Sequence, residues 1–122
     1  MLIPDFYTLK EMNLTENTVS ALILLNPDHK IYNGHFPEQP VVPGVVQLQI
    51  IKELMEKAVD EKLFLGEMGF AKFLKLITPE VNPEFYVQID FKTQEQKITF
   101  SAKIEDNQTI LTKVKGSYTV LK

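Results

Sequence analysis

Apolar and polar side chains alternate strictly along Tyr86-Val87-Gln88-Ile89-Asp90-Phe91-Lys92 and Ile98-Thr99-Phe100-Ser101-Ala102-Lys103-Ile104, the period of strands with one buried and one solvated face. Two further β-rich segments, Phe6 to Met12 and Thr18 to Leu25, flank the polar stretch Asn13-Leu14-Thr15-Glu16-Asn17, which has the length and composition of a hairpin connection. Leu63 to Ile77, Glu84 to Thr93, Lys97 to Glu105 and Thr109 to Val120 complete the strands, with breakers at Thr78-Pro79-Glu80, Asn82-Pro83, Thr93-Gln94-Glu95-Gln96 and Asp106-Asn107. A different period governs Val45 to Val59. There Val45, Val46, Leu48, Ile50, Ile51, Leu54, Met55, Ala58 and Val59 cover much more than one stripe of a helix, which predicts that the helix is largely buried. One such helix and about six antiparallel strands predict an α+β architecture, a curved sheet wrapped around a single helix. An open sheet edge in that arrangement predicts a dimer that joins two edges.

Composition narrows the partners. At 122 residues and 44% hydrophobic, residues 1–122 are expected to form one domain with a substantial core. The charge is −3 and every basic residue is lysine, so no guanidinium reads phosphate or base edges, and nucleic acid is an unsuitable partner. The chain has no cysteine and only His29 and His35, which disfavours a thiolate or histidine-rich metal site. Neither a long apolar span nor a signal-peptide pattern at Met1-Leu2-Ile3-Pro4-Asp5-Phe6 is present, and a soluble cytoplasmic protein is expected.

Candidate chemistry concentrates between the second strand and the helix. In Asn33-Gly34-His35-Phe36-Pro37-Glu38-Gln39-Pro40-Val41-Val42-Pro43-Gly44-Val45, three prolines fix φ and remove backbone donors. A stiff loop therefore holds His35 just ahead of a helix whose first turn offers unpaired N–H groups and the positive end of its dipole. Asn26-Pro27-Asp28 reads as a turn, and the adjacent Asp28 and His29 as part of it rather than as a dyad.

Gly34-His35-Phe36-Pro37-Glu38-Gln39-Pro40-Val41-Val42-Pro43-Gly44 resembles the signature of the hotdog-fold 3-hydroxyacyl-acyl-carrier-protein dehydratases, with Val42 where methionine is usual. Ala71-Lys72-Phe73-Leu74-Lys75-Leu76-Ile77-Thr78-Pro79-Glu80 is similar to a second segment of that family, without its arginines and glycine. The resemblance implies a hotdog fold and removal of water from a 3-hydroxyacyl thioester in fatty acid or related acyl-chain biosynthesis, such as that of aryl polyenes. The acyl group would be carried on the phosphopantetheine of an acyl carrier protein, with no further cofactor and no metal. It implies His35 as base, the Gly44 and Val45 amides polarising the thioester carbonyl, and Phe36, Pro43, Val45 and Phe73 lining the site. It also implies a site shared by two subunits, either a homodimer or a mixed dimer.

The family's helix acid lies fourteen residues beyond its histidine, where this chain has Gln49. An amide orients a hydroxyl or water but transfers no proton, so a contribution on the order of 10²–10⁴-fold needs another source. The resemblance thus leaves three readings: a dehydratase, a non-catalytic carrier-binding or partner subunit of a mixed dehydratase dimer, and a hotdog thioesterase. Read by residue type alone, His35 could bond loop backbone, Gln49 could satisfy buried polar groups and Gly44 could serve as a helix N-cap. Lys72 and Lys75 are either a solvated face or a contact for an acidic carrier.

Overall fold

A computed structural model describes residues 5–33 and 40–121. Alternation in the sequence becomes alternation of burial in β2 (Thr18–Leu25), β4 (Glu84–Gln94) and β5 (Lys97–Asp106), whose inward residues Val19, Ala21, Ile23, Phe85, Val87, Ile89, Ile98, Phe100, Ala102 and Ile104 are buried. These strands join β1 (Tyr7–Leu14), β3 (Leu63–Phe73) and β6 (Thr109–Val120) in a six-stranded antiparallel sheet of order β1-β2-β4-β5-β6-β3. A short 3-10 turn, Lys30–Asn33, precedes the entry to α1 (Gly44–Val59). Val46, Ile50, Ile51, Leu54 and Met55 of α1 share one core with the inward sheet residues. This is the expected α+β hotdog arrangement.

Tight turns are set by short-range chemistry. Asn107 and Gln108 both take positive φ, 50° and 66°, which matches the twist of a two-residue hairpin between β5 and β6. The turn therefore lies one residue beyond the expected Asp106-Asn107. α1 ends at Asp60 in the left-handed region, whose N–H bonds the Glu56 carbonyl.

Two expectations are corrected. The strand predicted to run to Ile77 ends at Phe73, because the Leu74 and Lys75 N–H groups converge on the Leu111 carbonyl and stop the regular ladder. Ile77 is thereby free to dive into the core, where its carbonyl accepts the Val42 N–H at 2.7 Å. The helix is buried or half-buried along most of its length, but Val45, expected among its apolar buried residues, is 74% exposed.

The two sheet edges differ. On β1, Lys10 and Glu11 accompany a bulge between Leu9 and Glu11, features that discourage edge pairing. On β3 only Leu63 is buried, and Phe64, Leu65, Met68 and Phe70 stand exposed. Gly116 of β6 faces the irregular part of β3, where a Cβ would run into the Glu67 carbonyl oxygen.

Candidate active site

The entry to α1 is built by backbone and side-chain bonds that fix its first turn. Pro43 has extended ψ (φ −59°, ψ 150°) and caps the helix without a side-chain acceptor. Its carbonyl accepts both the Val46 and Gln47 N–H groups at 3.1 Å. Among the described residues, no acceptor is bonded to the N–H of Gly44 or Val45. As the first N–H groups of α1 they lie at the positive end of the helix, a place suited to an oxyanion or a polarised carbonyl.

Phe73 closes over the same spot. A Cβ on Gly44 would lie 2.7 Å from the Phe73 ring, so a larger residue there would push the ring off its place on the helix start. Of the expected lining residues, Phe73 thus lies against Gly44, between Pro43 and Val45 in the chain, and both Phe73 and the Val45 side chain are open to solvent. His35 and Phe36 lie outside the described residues.

Gln47, which sequence patterning gives no role, anchors this turn from beneath. It is buried; its Nε2 donates to the Val42 carbonyl at 3.1 Å, and its Oε1 accepts the Thr112 hydroxyl at 2.6 Å. The loop end at Val42 is consequently held by Ile77 on one side and by Gln47 on the other. The Thr112 contact spans 65 positions and has no local sequence signal.

Gln49 is about 7–8 Å further along the axis than Gly44, at roughly 1.5 Å per residue. Its Nε2 donates to Glu53 Oε2 at 3.0 Å, and Glu53 Oε1 accepts the Tyr7 hydroxyl at 2.8 Å. Burial first, and then the Glu53 carboxylate, push the Tyr7 phenol well above its ordinary range. Neither Glu53 nor Tyr7 is a site candidate in the sequence. The spacing of Gln49 and Glu53, one helical turn, was the available clue. A groove of about 620 Å³ borders this site, lined by Tyr7, Glu53, Glu56, Lys57, Asp60, Glu61 and Lys62.

His29 belongs to the turn predicted for it. Its Nδ1 accepts the Ile31 N–H at 3.1 Å, its ring meets Phe6 edge-on, and Asn26 Oδ1 accepts the Asp28 N–H. Lys72 points to the outer sheet face, its Nζ 4.9 Å from the centre of the Phe70 ring. Cross-strand register aligns it with Lys113 and then Lys103, a row of three ammonium groups on neighbouring strands. Among the described residues, no group of histidine and carboxylate side chains could hold a metal, and no helix is long and apolar enough to cross a membrane.

Known proteins resemble this chain in sequence and in fold. The ApeI-like family profile, described as ApeI dehydratase, matches residues 11–114. The 3-hydroxyacyl-[acyl-carrier-protein] dehydratase FabZ of Lactobacillus helveticus is 28% identical over 120 residues, covering 86% of this chain and 80% of its own. FabZ of Streptococcus pneumoniae is 29% identical over 75 residues, and that match spans 56% of this chain but only 54% of the relative's length. The structure of the dehydratase heterocomplex ApeI:P from Xenorhabdus doucetiae superposes with a TM-score of 0.74 at 16% identity, covering 93% of this chain and 97% of the other. That likeness shows the hotdog fold.

Proposed function

Because the chain belongs to the ApeI-like dehydratase family, we propose that it removes water from a 3-hydroxyacyl thioester carried on the phosphopantetheine of an acyl carrier protein. The observation that carries this reading is the helix start, where the Phe73 ring lies against Gly44 and the Gly44 and Val45 amides have no acceptor among the described residues. A thioester carbonyl seated on those amides becomes a better electron sink, so its C2 proton is more easily removed. His35 takes that proton, the C2 electrons form the double bond to C3, and the C3 hydroxyl departs as water. Gln49 supplies no proton. The imidazolium formed on His35 can return the abstracted proton to the leaving hydroxyl, which balances the reaction with one titratable group.

The β3 edge supports assembly with a second subunit. Its exposed Phe64, Leu65, Met68 and Phe70 would be covered, and its unpaired backbone satisfied, by an equivalent edge. The lysine row Lys72-Lys113-Lys103 supports docking of an acidic carrier, since cross-strand like charges are relieved by an anion and the structure supplies only Glu105, 3.9 Å from Lys103, as an ion-pair partner among the described residues. Gln49 favours a second reading, a mixed dimer in which the other subunit brings a carboxylate.

Purified chain is assayed for enoyl thioester formation from a carrier-bound 3-hydroxyacyl substrate, alone and with an acid-bearing dehydratase subunit. Turnover alone supports the one-histidine mechanism, and His35→Ala should then lower it by about 10²-fold or more with an unchanged melting temperature. Turnover only in the mixture selects the mixed dimer. Absence of turnover in both removes the dehydratase reading.

A further inference from the structure

Gln49 and Glu53 differ in what they have left to offer. An ionised carboxylate only accepts hydrogen bonds, so the Gln49 group facing Glu53 must be the NH₂ end of the amide. The Gln49 carbonyl oxygen is then turned away from Glu53. Glu53 cannot follow it, because Tyr7 holds the other carboxylate oxygen from strand β1. The phenol that does the holding stays protonated, since burial and the neighbouring carboxylate both oppose its ionisation.

We propose that Glu53, gripped by Tyr7, is a positioning residue that orients Gln49 so that its Oε1 accepts a hydrogen bond from the 3-hydroxyl of the acyl group. This rests on the acyl-thioester reading above and adds the residue that recognises the hydroxyl. Three side chains from two elements form the device: Tyr7 on β1, and Glu53 and Gln49 on adjacent turns of α1. An amide without that anchor could present either end. Its NH₂ end would meet the hydroxyl as a donor, and the hydroxyl proton would lose its acceptor. With the anchor, the site distinguishes a 3-hydroxyacyl chain from a saturated one of equal length.

The test is binding of two pantetheine amides to the intact protein, one 3-hydroxyacyl and one saturated. Amides replace thioesters because their C2 protons are too weakly acidic to be removed, so the ligands survive. Calorimetry on wild type should show the hydroxyacyl amide binding about 3- to 10-fold tighter, the ratio expected of one net hydrogen bond. Glu53→Gln, which keeps size but lets either amide end face Gln49, should lower that ratio below the wild-type value while leaving affinity for the saturated amide within about twofold. Tyr7→Phe, which keeps the ring packed, should lower the ratio partway, and it carries the test if Glu53→Gln fails to fold. A merely structural role would weaken both ligands equally. The inference is overturned if wild type binds both amides equally, or if Glu53→Gln keeps the preference; in either case the acyl-site reading stands. If wild type binds neither amide, that reading falls and takes the inference with it.

Discussion

Gln47 and Gln49 stand two positions apart on one helix and have opposite fates. Gln47 is buried and uses both ends of its amide, on Thr112 and Val42, so it has nothing left for a ligand. Gln49 is half-buried and uses its nitrogen on Glu53, which leaves its oxygen available to one. Residue type and helix position are nearly the same in the two cases. Partners separate them. A buried amide satisfied on both sides belongs to the scaffold, whereas an amide satisfied on one side at an open helix face belongs to chemistry.

The largest effect that sharpens this contrast falls on stability. Gln47→Leu strands the Thr112 hydroxyl and the Val42 carbonyl, and should cost about 2–4 kcal/mol of unfolding free energy in a urea titration. A loss below about 1 kcal/mol would mean that the two groups find other partners and that the helix entry is not held as described. The next effect is on activity. Gln49→Glu sets a second carboxyl beside Glu53, where two such groups share one proton and the shared proton is held to higher pH. That proton can be delivered to the leaving hydroxyl, so dehydration should rise by about tenfold or more. In Gln49→Glu/Glu53→Gln the pair no longer exists, and the gain should shrink. An equal gain in both variants would show that Glu53 does not act on position 49.

A smaller effect is read against pH. The folded protein raises the phenols of Tyr7 and Tyr118 beyond their ordinary range and that of Tyr32 to about 12, chiefly by burial. Folding favours the neutral phenols, so their contribution is complete below the ordinary value of 10.0 and is lost as pH climbs through the raised values. Urea midpoints should decline from about pH 10 upward, and less steeply in Tyr7→Phe, which has one fewer phenol to ionise. A flat profile to pH 12 would contradict the burial of these groups. The smallest effect lies far from both glutamines. Gln108 holds φ at 66°, so Gln108→Gly should stabilise by up to about 1 kcal/mol. It should leave turnover unchanged.

The same contrast explains which parts of the molecule could be read from one sequence. Strands β4 and β5 announce themselves by alternation, and α1 by its apolar spread, because those signals are local. The end of β3 was misplaced because Leu74 to Ile77 continues an apolar run while Leu111 and Val42 redirect the backbone, and both lie far away in sequence. At the site, the Pro43-Gly44-Val45 turn was legible from its prolines and glycine. Gln49 was legible from its place fourteen residues beyond His35, but its pairing with Glu53 one turn further on was not. What orients them is Tyr7, 46 positions from Glu53, and no local pattern reports such a contact.

The central claim is that the open amide, not the buried one, serves the substrate. Its most direct test is the rate of enoyl thioester formation from a 3-hydroxyacyl carrier protein by Gln49→Leu, compared with wild type at equal folded fraction. The account predicts a fall of about tenfold or more with unfolding free energy changed by less than about 1 kcal/mol. An unchanged rate would contradict it.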